Sequence, residues 1–250
     1  MAGELTGKTA IVTGASTGIG RGIVMALAGA GANVALVARS EQQLEEVASE
    51  ARQHSVKVLA YSGDVSDRAA VKEVVRLTRE QLGVPNILVN NAGTNTPKRG
   101  VSETSDEDWD RIVAVNLTGA YSFVREVLPH MKADGGGLVV NIVSLAGKAA
   151  SKLSGAAYSA SKFGMAGLTG SINDEEHQYG IRATSIYPGD VETPILDRRP
   201  APPSPEQRAY FLQPDDLAAA VLFVAALPPR ACVTEIIIRP TRTLEEVLSL

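Results

Sequence analysis

Thr9-Ala10-Ile11-Val12-Thr13-Gly14-Ala15-Ser16-Thr17-Gly18-Ile19-Gly20 is a short β-rich run that ends in a glycine-rich turn, and a helical pattern follows it to about Ala30. Strand, turn and helix in that order make the first unit of a parallel α/β sheet. Glycine lets a backbone approach a bound group closely, and a helix N-terminus offers unpaired N–H donors with a partial positive charge. The turn from Gly14 to Gly20 is therefore a candidate pyrophosphate cradle. A plain tight turn is the other reading, because the spacing departs from G-x-G-x-x-G.

Outward from this turn the rhythm repeats. Asn33–Ala38 reads as a second strand, followed by Arg39-Ser40 and a charged helix from about Glu41 to Gln53. At the end of such a strand an acidic residue accepts from a ribose 2′-hydroxyl, whereas an arginine favours a 2′-phosphate. Ala38 occupies that place and Arg39 follows, which favours NADP over NAD; Arg39 as a solvated loop residue is the alternative. Val56–Ala60 is a third strand leading to Asp64-Val65, with a helix over about Asp67–Leu82. Pro85–Val89 is a fourth, ending in Asn90-Asn91-Ala92-Gly93. Helical patterns then run from Asp106 through Asn116 to Lys132 and from Tyr158 to Tyr179, with the apolar strand Leu138–Val143 between them. Ile181–Tyr187 is a sixth strand closed by Pro188-Gly189, and the helix Pro214–Leu227 and the strand Glu235–Ile238 complete the series.

Alternating strands and helices joined by right-handed crossovers predict a doubly wound, Rossmann-like α/β fold: a parallel seven-stranded sheet with helices on both faces. Residues 1–250 read as a single dinucleotide-binding domain. Ligands of such sheets bind beyond the carboxyl ends of the strands, where Gly14, Arg39, Asp64, Asn91 and Ser144 are predicted to cluster. Between residues 193 and 213 prolines crowd the chain, at Pro194, Pro200, Pro202, Pro203 and Pro205. They predict a semi-rigid surface loop without regular structure, either a lid over the site or a connector.

Ala157-Tyr158-Ser159-Ala160-Ser161-Lys162 places a phenol and an ammonium at i and i+4 of one helix, on the same face. A free tyrosine gives up its proton only near pH ~10, so it works at neutral pH when a fixed positive charge favours the phenolate. Lys162 is placed to supply that charge. Ser144 comes just after the Leu138–Val143 strand, so a serine, a tyrosine and a lysine can converge on one oxygen. Such a phenol exchanges a proton with an alcohol or carbonyl oxygen.

A formal net charge of -4 over 250 residues, with the basic residues spread along the chain, points to no nucleic acid and no anionic membrane as partner. Cys232 has no second cysteine to pair with and reads as a small core residue. Met1–Leu5 shows no basic-then-apolar leader, and Leu217–Leu227 falls short of the ~20 residues of a spanning helix. A cytoplasmic protein is expected, with no metal site.

With Thr13-Gly14-x-x-x-Gly18-Ile19-Gly20, Asn90-Asn91-Ala92-Gly93, Asn116, Ser144, Tyr158-x-x-x-Lys162 and Pro188-Gly189 in this order, the sequence resembles the short-chain dehydrogenase/reductase family along nearly its whole length. The resemblance implies an NAD(P)-dependent oxidoreductase acting on CH–OH and C=O groups, with a catalytic tetrad of Asn116, Ser144, Tyr158 and Lys162. Ser144 would hold the substrate oxygen and Tyr158 would exchange its proton. Lys162 would lower the tyrosine pKa and bind the nicotinamide ribose, and Asn116 would position a relaying water. It implies cofactor contacts by Gly14, Ser16, Thr17, Gly18, Ile19 and Gly20 around the phosphates, Arg39 at the 2′-phosphate, Asp64 and Val65 at the adenine, and Asn91, Ala92 and Gly93 along the ribose path. Pro188 and Gly189 lead into Val191 and Thr193, which match positions holding the nicotinamide carboxamide, and residues 191–213 would line the substrate.

The expected reaction is hydride transfer between NADP(H), with NAD second, and a small carbonyl compound or secondary alcohol. A homodimer or homotetramer joined through the helices around Asp106–Lys132 and Tyr158–Tyr179 is implied by the family alone. Two alternatives stand beside this: a 3-oxoacyl reductase of fatty-acid type, and a catalytically silent cofactor-binding regulator. The first ranks lower because Asp174-Glu175-Glu176 stands where such enzymes present basic residues to an acidic carrier. The chain also departs from the family after its last strand, running through Arg239-Pro240-Thr241-Arg242 into an expected short polar helix.

Overall fold

The computed structural model describes residues 4–242 and residue 246. The polar helix expected after Arg242 falls largely outside them. Thr9–Thr13 forms β1, buried at every position, and Gly18–Gly29 forms α1. They are followed by β2 (Asn33–Ala38), α2 (Glu41–Arg52), β3 (Val58–Ser62), α3 (Arg68–Gln81) and β4 (Ile87–Asn90). The second half comprises α4 (Asp106–Val113), α5 (Gly119–Ala133), β5 (Gly137–Ile142), α6 (Ala156–Glu176), β6 (Ile181–Pro188), α7 (Pro205–Arg208), α8 (Pro214–Ala226) and β7 (Glu235–Ile238).

All seven strands join one sheet in the order β3-β2-β1-β4-β5-β6-β7, every pairing parallel. The order reverses between β1 and β4, so a crevice opens there at the carboxyl ends of the strands. Side chains alternate across the sheet. Ala10, Val12, Val34 and Leu36 pack with Ile23 and Leu27 of α1, Leu44 of α2 and Val221 of α8. Ile11, Ala35, Val37 and Val139 face the other way, onto Val74 of α3, Phe123 and Met131 of α5, and Ile172 of α6. Burial on both faces is why these strands read as continuous apolar runs. Local signals set the helix starts: the Asp67 carboxylate accepts from Ala69 N at 2.8 Å, and the Ser105 hydroxyl accepts from Asp108 N at 3.2 Å.

Three expectations are corrected. The third strand starts at Val58 rather than Val56, because the Asn33 side chain takes the Lys57 N–H at 3.0 Å and sheet pairing begins one residue on. Residues 193–213 are not an unstructured loop. Pro194–Arg198 is a 3-10 turn, α7 starts on Pro205 with a Ser204–Gln207 capping box, and Val191 pairs with Leu212. Proline lacks the N–H that the first helical position leaves unused, so here it begins helical turns instead of preventing them. Cys232 is exposed rather than part of the core, with its Sγ 3.7 Å from Asn173 Oδ1. Among the described residues no helix is long and apolar enough to cross a membrane, and no group of His, Cys, Asp and Glu could hold a metal ion.

Candidate active site

The glycine turn is shaped by contacts that leave no room for side chains. Gly14 has φ +64°, and a Cβ on Gly20 would fall 2.1 Å from the Gly14 carbonyl oxygen. Thr17 precedes α1 without a side-chain cap, and the helix's first turn carries no acidic residue. The N–H groups of that turn are left to an anion, which is what a bound pyrophosphate requires. Gly18, Ile19 and Gly20 supply the first turn, with Ser16 and Thr17 on its approach. Across the crevice Thr193 packs against Gly18, where a Cβ would meet its Cγ2 at 2.9 Å. The segment after β6 thus closes over the turn.

Asn91 braces the cradle from behind. Its side-chain amide donates to the Thr13 and Gly14 carbonyls, while the Thr13 hydroxyl accepts from Asn91 N and Ala92 N, each at 3.0 Å. Arg39 is exposed at the end of β2, and its carbonyl accepts from the Ser62 hydroxyl at 3.2 Å. The Asp64 carboxylate accepts from Ser66 N at 2.8 Å and Ser66 Oγ at 2.7 Å. Burial pushes this carboxyl up, but the Ser66 bonds and the nearby Arg39 charge outweigh it and hold it below the ordinary value. Val65 is buried, its carbonyl close against Gly119 of α5. Gly189 N donates to Ile238 O at 2.8 Å, fixing the Pro188-Gly189 exit from β6, and the Thr193 hydroxyl donates to Val191 O at 3.2 Å.

Ser144, Tyr158 and Lys162 come together where β5 ends and α6 begins. Ser144 has φ +153°, a strained value for a residue with a side chain, and its hydroxyl accepts from Ala146 N at 3.1 Å. Burial raises the Tyr158 pKa, opposed by a hydrogen bond with Ser144 and by the charges of Arg99 and Arg199. The Lys162 ammonium is buried, donates to Ile142 O at 2.7 Å and lies 5.6 Å from the centre of the Tyr158 ring. Burial brings its pKa down to about 7. Asn116 sits in a π turn, Ala114–Thr118, between α4 and α5. Its amide donates to Thr94 O at 3.0 Å and Ser161 Oγ at 3.1 Å, and its Oδ1 accepts from Thr94 N at 2.8 Å. Ser161 Oγ in turn donates to Tyr158 O at 2.7 Å, which links Asn116 to the turn of α6 that carries the phenol.

The structure thus brings Gly14 and Gly20 against Asn91, Gly18 against Thr193, and Asn116, Ser144 and Lys162 around the first turns of α6 that carry Tyr158, while Val65 is turned into the core. Sequence reasoning missed the arginines. Arg99, Arg198 and Arg199 stand on the loops around Tyr158, and the basic doublets Lys98-Arg99 and Arg198-Arg199 were the available signal.

A family model described as short chain dehydrogenase matches residues 8–203. An uncharacterized oxidoreductase of Staphylococcus aureus strain MW2 is 35% identical over 236 residues, 94% of this chain and 98% of that protein. The structure of an alcohol dehydrogenase from the archaeon Thermococcus sibiricus, complexed with 5-hydroxy-NADP, superposes with a TM-score of 0.84 at 32% identity, covering 94% of this chain and 97% of that one. A 3-ketoacyl-(acyl-carrier-protein) reductase from Brucella melitensis, complexed with NADH, gives a TM-score of 0.85 at 30% identity over 95% of this chain and 99% of that one.

Proposed function

The chain belongs to the short-chain dehydrogenase family, and from that premise we propose that it moves a hydride between NADP(H) and the carbonyl or secondary-alcohol carbon of a small molecule, with Asn116, Ser144, Tyr158 and Lys162 as its catalytic set. The observation that carries this reading is the grouping at the carboxyl end of β5 of Ser144, hydrogen-bonded with Tyr158, and Lys162, whose ammonium lies 5.6 Å from the Tyr158 ring. The nicotinamide, when bound, supplies the hydride; the chain's part is orientation and proton handling.

Gly14, Ser16, Thr17, Gly18, Ile19 and Gly20 would hold the pyrophosphate, and Arg39 the 2′-phosphate. Asp64 and Val65 would border the adenine, Asn91, Ala92 and Gly93 the ribose path, and Pro188, Gly189, Val191 and Thr193 the carboxamide. Asp64 and Asn91 act mainly by shaping backbone, since their side chains are engaged within the protein. Ser144 donates to the substrate oxygen and Tyr158 hands it a proton. The neighbouring ribose hydroxyls are within the province of Lys162, whose buried ammonium gains from added acceptors. Both donors of the Asn116 amide are engaged, so positioning a relaying water falls to its main chain.

We place the whole of residues 1–250, with the 191–213 substrate segment, in one catalytic unit, in the cytoplasm. Homodimers or homotetramers would form through the face where Tyr121 of α5 and Phe163 of α6 stand exposed. The fatty-acid-type alternative ranks lower because Asp174 and Glu175 are exposed acids on the helix that would meet an acidic carrier. Calorimetric titration with NADPH and NADH, followed by a carbonyl panel read by loss of nicotinamide absorbance, tests the proposal. Tight NADPH binding with turnover is expected. Binding without turnover on any carbonyl would move the silent regulator to the front.

A further inference from the structure

The fixed charge over the catalytic phenol was assigned from sequence to Lys162, yet its ammonium is turned onto Ile142 O and loses its proton readily, at a pKa of about 7. Another cation, carried on a separate loop, favours the phenolate. Arg99, in the loop between β4 and α4, is 7% exposed and carries no carboxylate partner among the described residues. Its guanidinium is held by main-chain oxygens instead. Nε donates to Thr96 O at 2.7 Å, Nη1 to Leu153 O, and Nη2 to Arg198 O at 2.9 Å. These acceptors belong to three different loops: after β4, before α6 and after β6. The backbone of the same residue starts α6, since Ala156 N donates to Arg99 O at 3.3 Å. Gly155, at φ +80°, has no space for a Cβ, which would fall 2.6 Å from Arg99 Cβ. Tyr158 is in the first turn of that helix.

We propose that Arg99 is a positioning residue for this reaction: it clasps the three loops that enclose the Tyr158 hydroxyl and provides the permanent positive charge facing the phenol. The proposal rests on Tyr158 being the proton donor. Arginine suits both tasks. Its planar fork carries five N–H donors, enough to bond three carbonyls at once, and it keeps its charge at any pH where the protein is folded, which the buried lysine does not. A carbonyl-bound guanidinium is not neutralised, as it would be by a carboxylate, so its field reaches the phenol. Burial and the neighbouring Arg199 charge bring the Arg99 pKa down and Tyr158 opposes them, while Arg99 in turn favours the phenolate. Four groups act on the phenol: Lys162 from its own helix, Ser144 from the end of β5, Arg99 from the β4–α4 loop, and Arg199 from the segment after β6, which is paired with Asp190. Because Arg99 holds Arg198 O, displacing the 194–199 turn would break the clasp and draw Arg199 from the phenol together.

The test needs neither cofactor nor substrate, so its outcome is separate from that of the proposed reaction. The phenolate absorbance of wild type, Arg99→Met, Arg99→Lys and Arg199→Met is titrated, each with a Tyr158→Phe counterpart whose difference isolates this phenol from the other tyrosines of the chain's 6. Limited proteolysis of the 194–203 segment is followed in parallel. Arg99→Met is expected to raise the Tyr158 ionisation by about one pH unit, a tenfold change, and to speed cleavage about tenfold. Arg199→Met should raise it less and leave the clasp shut. Arg99→Lys should restore the ionisation but not the protection, which a purely structural side chain would not do. Unchanged ionisation with unchanged cleavage in a folded Arg99→Met overturns the proposal. Should Arg99→Met not fold, or alkaline unfolding precede the phenol, wild-type resistance to cleavage in Arg99→Lys overturns it and rapid cleavage supports it.

Discussion

The side-chain amide of Asn91 spans the Thr13 and Gly14 carbonyls, 3.0 and 3.1 Å away, and so ties the start of the glycine turn to the end of β4. Its value lies in donating twice to the main chain where it leaves β1 and turns at Gly14. Asn91→Ala leaves both carbonyls short of a partner and is expected to cost about 1–3 kcal/mol of stability, with weaker nucleotide binding. Asn91→Asp should be worse than alanine, because it points a carboxylate at two carbonyl oxygens. Urea denaturation and calorimetric titration check both; an aspartate variant as stable as alanine would remove the bracing role.

Tyr158→Phe deletes one oxygen and nothing that shapes the cradle. Turnover of a carbonyl substrate is expected to fall by about 10²–10⁴, the usual worth of general acid–base help. The NADPH dissociation constant should stay within a few-fold of wild type. Turnover near the wild-type rate would remove Tyr158 from the chemistry.

Lys162 carries a signature in stability. Its pKa falls from 10.5 to about 7 through burial, so between those values the unfolded chain binds a proton that the folded chain has released. Stability of the nucleotide-free protein then rises with pH across that window, and below it the folded state bears a buried charge. Lys162→Met should flatten this slope and raise stability at neutral pH by on the order of 1–3 kcal/mol, while turnover is lost. Denaturation midpoints of the two proteins at pH 7 and pH 9 provide the check. Parallel pH dependences would mean that the ammonium is not desolvated as the geometry implies.

Legibility in the sequence followed range. The strand-turn-helix of residues 9–29 and the i, i+4 pair Tyr158 and Lys162 are local patterns, and both were readable. Asn91 was readable as part of a motif, but its target was not, because donation to a carbonyl leaves no mark on the accepting residue's type. Arg99 is the extreme case: two of its acceptors lie 54 and 99 positions away and are main-chain oxygens of Leu153 and Arg198. Proline misled between residues 193 and 213 because the same ring that blocks a helix interior suits its first turn. The Ser204–Gln207 spacing of a capping box was the cue that separates the two.

Arg39 is the residue to which we assign the choice between the two nicotinamide nucleotides. It stands exposed at the carboxyl end of β2, where Ala38 supplies no acid to a ribose 2′-hydroxyl, and its backbone is fixed by Ser62. Asp64 lies near enough for the Arg39 charge to lower its carboxyl, so the arginine is also partly shared with that acid before nucleotide arrives. A 2′-phosphate offers more charge than the carboxylate and can draw the guanidinium away. Arg39→Ala is therefore expected to weaken NADPH binding by about 1–3 kcal/mol relative to NADH, the worth of a charge-assisted hydrogen bond. Added salt should shrink the wild-type preference, since the pair is exposed and screened. Calorimetric titrations at two ionic strengths read both effects. Equal losses for the two nucleotides would make Arg39 a solvated loop residue and leave the cofactor preference to the shape of the cradle.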